Sequence, residues 1–274
     1  MLPAILSTLD AMQPIGLDDM KSVRLMNRVD QKYMAGIDQL VPLLESIADG
    51  YYIQYLPPLS PDNNTSASQL SSVVQPYHTL YFDTEGLEMY TMHHNQKLNR
   101  QKLRVRTYRS TDTTFFEIKN KDNKKKTRKI RIPIDVSQFD HALEVPEVAD
   151  FVEKNTPYST LLHECLENSF ERITLVDRGM SERVTIDSGI TFHTRATHID
   201  ADISRLLVIE VKHEVGAPPS RIERALHEMH ILPRRMSKYC IGTALTDPSA
   251  KYNRFKPKLL FIQNKCMNTQ TIKQ

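Results

Sequence analysis

Glycine is scarce in this chain, and its scarcity excludes the common nucleotide-binding loops. Only eight of the 274 residues are glycine, and none of them belongs to a GxxxxGK or GxGxxG pattern. Those two patterns provide the backbone amide cradles that hold phosphate in P-loop and dinucleotide-binding folds. If this protein binds phosphate, we therefore expect side chains to bind it.

Cysteine is equally rare, and long uncharged hydrophobic runs are absent. Cys165, Cys240 and Cys266 lie far apart and show no CxxC or Cys/His spacing, so neither a disulfide framework nor a structural zinc site is indicated. No uncharged apolar run reaches the length that spans a bilayer. We expect a reducing, cytoplasmic setting and no membrane segment.

Charge is balanced overall but strongly asymmetric along the chain. The 36 Lys and Arg against 33 Asp and Glu leave a formal net charge of only +3. Between Lys97 and Arg131, however, fourteen Lys or Arg stand against three acidic residues. A local excess of this size indicates an anionic partner.

The stretch from Lys102 to Tyr108 shows how this charge is arranged. Cationic residues at 102, 104 and 106 alternate with uncharged ones. Successive side chains of a strand point to opposite faces, so the three charges share one face. Neighbouring charges on that face lie roughly 6.6 Å apart, and at an effective dielectric near 20 they repel by about 2.5 kcal/mol. We expect an anion to offset this repulsion.

The same alternation recurs in three further segments, each of which places two or three charged residues on one face. These residues are Glu117, Lys119 and Lys121; Lys129 and Arg131; and Glu210 and Lys212. One such segment is typical of an ordinary strand with a solvated face. Four together favour a sheet closed on itself with the charges inside, because the strands of a barrel alternate interior and exterior residues.

The pattern along the chain predicts an α+β fold, built as an antiparallel β-barrel that forms a tunnel, with helical insertions and a C-terminal helix. We expect strands at 23–34, 77–83, 98–134, 170–177, 183–187 and 206–212, and helices at 38–48, 85–94, 137–166 and 221–229. Residues 56–76 are rich in Pro, Ser and Asn, which is typical of a flexible insertion loop. The prediction is one domain over residues 1–246, followed by a basic, ill-defined tail at 247–274.

Two adjacent histidines, His93 and His94, invite a metal-site interpretation. Neighbouring residues of a helix face different directions, and no third ligand is nearby in the sequence. We therefore expect surface histidines rather than a zinc site.

Seven short pieces, in a fixed order, resemble the VTC domain, the polyphosphate polymerase branch of the triphosphate tunnel metalloenzyme superfamily. The pieces are RVDQKY at 28–33, LYFDT at 80–84, NRQKLRVRTY at 99–108, FEIKNK at 116–121, FERIT at 170–174, LVIEVK at 207–212 and MSKY at 236–239. No single piece is specific. Together they span most of the chain, from Arg28 to Gly242.

The resemblance implies a tunnel that binds the triphosphate of ATP and a growing polyphosphate chain with a divalent metal, Mn²⁺ or Mg²⁺. It implies catalytic cations at Lys32, Arg104, Arg106, Lys119 and Lys238. It implies substrate-binding residues at Arg28, Lys121, Lys129, Arg131, Arg172, Arg183, Lys212, Arg235 and Ser237. The family's metal-binding carboxylate falls at Glu210, and Lys102 is expected at the rim of the tunnel.

We therefore expect a polyphosphate polymerase, in which a terminal phosphate oxygen of the chain attacks the γ-phosphate of ATP. Such transfer needs positioning and charge neutralisation more than a protein nucleophile. Two alternatives stay open. One is a metal-dependent triphosphatase on the same fold. The other is a non-enzymatic polyanion or RNA binder that stacks bases on Tyr108, Phe115 and Phe116. Because Phe116 faces away from the charges of its strand, no nucleic acid partner is expected.

Overall fold

The computed structural model describes residues 2–22, 28–57, 70, 72–124 and 126–266. Its strands are β1 (Gln13–Ile15), β2 (Arg28–Gly36), β3 (Tyr51–Gln54), β4 (Val74–Thr84), β5 (Arg100–Tyr108), β6 (Thr113–Lys121), β7 (Thr127–Ile134), β8 (Leu162–Asp177), β9 (Arg183–Thr194), β10 (Ile199–Asp202) and β11 (Leu206–Glu214). Its α-helices are α1 (Leu2–Asp10), α2 (Leu40–Ile47), α3 (Glu88–His94), α4 (Pro146–Asn155), α5 (Arg221–Glu228), α6 (Lys238–Thr246) and α7 (Lys256–Cys266). Short 3-10 segments lie at Asp19–Ser22, Ile37–Gln39, Ala48–Gly50 and Val136–Glu144.

The strands form one large sheet whose main path is antiparallel throughout. The order is β2, β11, β9, β8, β4, β5, β6 and β7, with β10 beside β9 and β3 beside β8. In a flat sheet, β11 and β6 would lie about 24 Å apart, because strands are spaced by about 4.8 Å. Burial lowers the pKa of Lys119 on β6, and the carboxylate of Glu210 on β11 acts on that pKa in the opposite direction, so the two groups face each other. Lys102 on β5 and Asp187 on β9 are likewise linked through the adjacent residues Ser237 and Lys238. The sheet must therefore curl until its two ends face each other.

The predicted fold class is confirmed, since a large antiparallel sheet combines with helices in an α+β arrangement. The curled sheet is not sealed by backbone hydrogen bonds, because no ladder joins β2 to β7 in the part of the chain that is described. The interior is thus a concave face enclosed by the curl of the sheet.

Helices cover the convex side of the sheet and hold the apolar residues of each strand there. Over β2, β9 and β11, helices α1, α2 and α5 bury residues such as Leu43 and Ile209 completely. Over β4 to β7, α4 and the segment at 136–144 bury Leu103, Val105 and Phe116 in the same way. Because side chains alternate along a strand, the charged residues between them must point to the concave side.

Helix α6 packs on the concave side and fills one end of it. A Cβ atom on Gly242 would lie 2.5 Å from a ring carbon of Phe192 and 2.6 Å from a methyl carbon of Leu166, so the helix backbone rests directly on the sheet. Helix α7 adds Ile262 to the same apolar cluster, although this region was predicted to be an ill-defined tail. The apolar end leaves the other half of the concave face to polar side chains.

Some predicted ends of strands and helices were wrong, because pairing between strands that are distant in the sequence overrides the preference of the local sequence pattern. Strand β8 begins at Leu162, where a helix was expected, since its first residues pair with the end of β4. Strand β9 continues to Thr194 rather than ending at 187, and β10 was not predicted. The expected insertion lies largely outside the described residues, as do residues 23–27 of the first predicted strand.

His94 is not a surface residue as predicted. It is 4% exposed, and its Nε2 atom lies 2.6 Å from the side-chain oxygen of Asn253. Both Cys165 and Cys240 are buried free thiols. Each helix in the described residues is too short or too polar to cross a membrane.

The close approach of α6 to the sheet yields a test of this architecture. Replacing Gly242 with Val forces side-chain carbons into the space of Phe192 and Leu166, and overpacking of this kind costs about 2 kcal/mol. We expect a lower midpoint in urea unfolding. Gly86→Val is the matched control, because nothing lies within 4 Å of its added Cβ atom. Equal losses in the two variants would contradict the packing of α6 on the concave side.

Candidate active site

The polar half of the concave face is lined by charged side chains from seven strands and from the start of α6. We call this surface the cationic face. It comprises Lys32, Lys102, Arg104, Arg106, Glu117, Lys119, Lys129, Arg172, Asp187, Glu210, Lys212 and Lys238. It contains nine cations and three carboxylates, and each carboxylate lies between two of the cations.

The first carboxylate is Glu117 on β6, which is 1% exposed. Arg104 donates to its Oε2 atom from Nε at 2.8 Å and from Nη2 at 2.6 Å, while Lys129 donates to Oε1 at 2.9 Å. Burial alone would raise the pKa of Glu117, but Arg104, Arg106 and Lys129 outweigh it and hold the pKa at about 2. Glu117 is therefore ionised and ties β5, β6 and β7 together.

The second carboxylate is Asp187 on β9, which the sequence analysis missed. Arg172 donates hydrogen bonds from Nε to Oδ1 of Asp187 at 2.6 Å and from Nη2 to Oδ2 at 2.8 Å. Lys238 of α6 also donates to Oδ2. Burial raises the pKa of Asp187, but these two cations outweigh burial and lower it. The signal that could have revealed Asp187 is its period-two spacing from Arg183 and Thr185 on one strand.

The third carboxylate is Glu210 on β11, the residue predicted to bind metal. Its two oxygens lie 3.2 Å from Nζ of Lys32 and 3.3 Å from Nζ of Lys212. Burial raises its pKa, but both lysines outweigh this effect and hold the pKa at about 2. Glu210 is thus an ionised carboxylate placed directly beside the cations.

An aromatic pair supports the cations around Asp187. The rings of Tyr77 and Phe170 stack with their centroids 5.0 Å apart. The guanidinium of Arg172 lies 4.9 and 5.3 Å from these two rings, that of Arg106 lies 5.5 Å from each, and Nζ of Lys238 lies 4.0 Å from Phe170. Ring faces attract cations, so this pair stabilises three charges that burial would otherwise disfavour.

Three cations of the face have no salt bridge within the described residues. Lys102 donates to Oγ of Ser237 at 2.7 Å, and Arg106 donates to Oγ1 of Thr79 at 3.1 Å. Lys119 faces Lys102 on one neighbouring strand and Lys129 on the other, and like charges placed directly opposite destabilise a sheet. Burial and neighbouring cations lower the pKa of both Lys102 and Lys119 to about 8. Lys102 therefore lies inside the face, and its predicted place at the rim is wrong.

The remaining predicted residues lie at the margins of the cationic face. Lys121 is half-buried near the end of β6. Arg131 is exposed, and its guanidinium lies 4.1 Å from the centre of the Phe115 ring. Nη2 of Arg183 donates to the carbonyl of Met20 at 3.2 Å. Ser237 caps α6 by accepting from the amide of Cys240 at 3.3 Å. Arg235 is exposed near Lys258, apart from the three carboxylates, and the side chain of Arg28 lies outside what is described.

The chain belongs to the VTC domain family, whose model matches residues 27–246. The resemblance that the sequence showed is confirmed. No curated protein sequence matches the chain.

Several solved structures are similar in shape. A putative adenylate cyclase from Bacillus halodurans is 13% identical with a TM-score of 0.43, and the match covers 77% of this chain and 96% of that one. A putative adenylyl cyclase from Hippeastrum, described as having a dominant triphosphatase activity, is 13% identical with a TM-score of 0.45, and the match covers 90% and 100%.

The balance of charge around Glu117 can be tested through stability. Replacing Glu117 with Gln leaves Arg104 and Lys129 without their carboxylate, and breaking a buried pair of this kind is expected to cost about 2 to 3 kcal/mol. Added sulfate should restore more stability to this variant than to the wild type, because an anion replaces the lost charge. Asp150→Asn, which breaks an exposed pair with Lys154, is the control and should change little. Equal effects in both variants would contradict the role of Glu117.

The depressed pKa values of Lys102 and Lys119 predict how anion binding depends on pH. A protonated amine attracts an anion more strongly than a neutral one, so we expect the affinity for tripolyphosphate to be complete below about pH 8 and to fall as the pH rises above that value. Tripolyphosphate itself gains negative charge as the pH rises, which would strengthen its binding to cations. A loss of affinity at high pH must therefore come from deprotonation of groups on the protein. Calorimetric titration between about pH 7 and pH 9.5 should show this loss. Lys119→Arg stays protonated throughout and should flatten the profile; an unchanged profile would contradict the assignment.

Proposed function

We propose that this protein is a polyphosphate polymerase that transfers the γ-phosphate of ATP to a growing polyphosphate chain on the cationic face. A terminal phosphate oxygen of the chain attacks the γ-phosphorus, the bond from that phosphorus to the β–γ bridging oxygen breaks, and ADP leaves. One phosphoanhydride bond forms as another is broken, so no oxidant, reductant or protein nucleophile is needed. A cytoplasmic location, where ATP is available, is part of the proposal.

The observation that carries this proposal is the excess of cations over carboxylates in an enclosed, partly buried surface. Glu117, Asp187 and Glu210 offset only part of the positive charge that surrounds them. A chain of phosphate groups carries negative charge at regular intervals, as the strands carry cations at regular intervals. Arginine can grip two phosphate oxygens at once, and lysine supplies a mobile point charge. Both are needed where a phosphoryl group is passed between two anions.

Glu210 is the proposed ligand of the divalent metal, Mn²⁺ or Mg²⁺. In the described residues, no cluster of three or more His, Cys, Asp or Glu side chains could hold a metal alone. A single ionised carboxylate fits a hard cation that takes its other ligands from substrate phosphates and water. When bound at Glu210, the cation would supply positive charge that neutralises phosphate oxygens. Lys32 and Lys212 keep the carboxylate in place and contribute their own charge to the phosphates.

Two other functions compete with this proposal. A triphosphatase would use the same cations but admit water to the γ-phosphate instead of a phosphate chain. An RNA binder would need aromatic faces open to bases, yet Phe116 is completely buried and the guanidinium of Arg131 covers Phe115. The geometry therefore gives less support to base stacking than to phosphate binding, and no nucleic acid partner is proposed.

The proposed reaction is tested by incubating the purified protein with ATP and Mn²⁺ and measuring ADP together with polyphosphate resolved on a gel. We expect both products in parallel. ADP accompanied by orthophosphate alone would replace the polymerase with a triphosphatase, and binding without turnover would leave a polyanion binder.

Replacing Glu210 with Ala separates metal-dependent chemistry from phosphate binding. Metal-dependent turnover should fall by about 100-fold or more, since a metal contributes several kcal/mol to charge stabilisation in phosphoryl transfer. Binding of tripolyphosphate without metal should be unchanged or stronger, because the variant lacks a carboxylate that repels the ligand. Turnover at the wild-type rate would contradict the metal role of Glu210.

A further inference from the structure

Basic residues gather around helix α7, near the C-terminal end of the chain. Residues 229–274 contain nine Lys or Arg and one acidic residue. Lys258 of α7 lies close enough to Arg234 and Arg235 for both charges to lower its pKa, after the larger effect of burial. Arg234 also lies against α7, with its guanidinium 4.5 Å from the centre of the Phe261 ring. The segment before α6 and the first turn of α7 therefore belong to one cationic surface.

The charges of α7 are placed against the dipole of the helix. Lys256 and Lys258 lie in its first turn, which contains no acidic residue. A helix N-terminus carries a partial positive charge, so cations are unfavourable there. Helix α4 shows the favourable arrangement, with Glu147 in its first turn and Lys154 in its last. The basic start of α7 therefore does not stabilise the helix, and it indicates an anionic partner.

Exposed apolar side chains lie beside these cations. Tyr252 is 51% exposed and Leu260 is 47% exposed. The amide of Lys256 donates to the carbonyl of Tyr252 at 3.0 Å, so the helical spacing begins one turn before α7. Tyr252, Lys256 and Leu260 are thus spaced by four residues and follow one another along one side of the helix. A different side holds Phe255 and Ile262, which are buried in the protein. The outward side of α7 is therefore both basic and apolar.

Within the part of the chain that the structure describes, Arg234, Arg235, Lys256 and Lys258 form no salt bridge. A bilayer of anionic phospholipids complements both features of this side, because it combines negative headgroups with an apolar layer beneath them. Lysine stems can lie along that layer while their charges stay among the headgroups. A purely acidic protein segment would neutralise the charge but would leave the apolar side chains in water. The combination favours a membrane surface.

We propose that this protein binds peripherally to membranes of anionic phospholipids through a surface formed by Arg234, Arg235, Tyr252, Lys256, Lys258 and Leu260. We call it the α7 surface. Its cations contact the headgroups, and its two apolar side chains enter the boundary between headgroups and acyl chains. The inference is independent of the reaction on the cationic face, and it would place that reaction beside a membrane.

The first test measures co-sedimentation of the full chain with phosphatidylcholine vesicles that contain either no phosphatidylglycerol or about 30% of it. The variants are Lys256→Gln and Leu260→Ser. The matched controls are Lys124→Gln, which changes an exposed lysine between β6 and β7, and Leu161→Ser, which changes a leucine that is 57% exposed. Circular dichroism checks that each variant is folded, and either variant of the α7 surface carries the test if the other fails to fold.

We expect the wild type to bind only the vesicles with phosphatidylglycerol, and to bind them less at high salt. Lys256→Gln should weaken this binding about five-fold, the loss expected for one cation near an anionic membrane. Leu260→Ser should weaken it about three-fold or more, because less apolar area leaves water. The controls should stay within about two-fold of the wild type. Equal binding to both kinds of vesicle, or losses no larger than in the controls, would overturn the proposal.

A fluorescent reporter separates the membrane from other partners of the α7 surface. The chain contains no tryptophan, so Leu260→Trp introduces a single one there and Leu161→Trp introduces a matched one elsewhere. Vesicles with phosphatidylglycerol should shift the emission of the first variant to shorter wavelength and leave the second unchanged, because only the first ring enters the bilayer boundary. The same shift with polyglutamate would replace the membrane with an acidic protein partner. A shift caused by raising the protein concentration without lipid would replace it with a second copy of this chain.

Discussion

Repulsion between like charges is the constraint on which this structure depends. Lys102, Lys119 and Lys129 stand opposite one another on three adjacent strands, an arrangement that a sheet tolerates only with compensation. Glu117 gives part of that compensation by binding cations from the strands on both sides of it. Asp187 does the same between the sheet and α6. The three internal carboxylates are therefore structural before they are functional, because they allow the cations to be collected in one place.

The free energy that overcomes this repulsion comes from the other side of the sheet. Leu103, Val105 and Phe116 are completely buried under helices, and they belong to the same strands that carry the cations. Each strand thus gains stability on its convex face and loses some on its concave face. The depressed pKa values of Lys102 and Lys119 record this loss, since burial and neighbouring charges disfavour their protonated forms. The repulsion among these cations is the free energy that a bound anion would relieve.

The sequence predicted the positions of side chains well wherever the two-residue period of a strand decides which face of the sheet they occupy. That period placed Arg104, Lys119 and Glu210 on the concave face without any knowledge of the partner strands. It gave less information where position depends on contacts between distant segments. Asp187 is a site residue because Lys238 reaches it from a helix 51 residues further along the chain, and Lys102 lies inside because Ser237 and the curl of the sheet enclose it. The predicted strand β8 began too late in the sequence for the same reason, because its first residues are held by pairing with β4. Periodicity reveals which face a side chain occupies, but it does not reveal what lies across the cavity.

Helix α6 brings Ser237 and Lys238 to a surface built otherwise from strands far earlier in the sequence. An anion that contacts Lys238 and Arg104 together would act as a noncovalent staple, joining two segments separated by more than a hundred residues of chain. Because such an anion binds the folded state and not the unfolded chain, it stabilises the folded state, and this contribution rises with ligand concentration. The stability of the C-terminal part of the fold would then depend on the concentration of that anion.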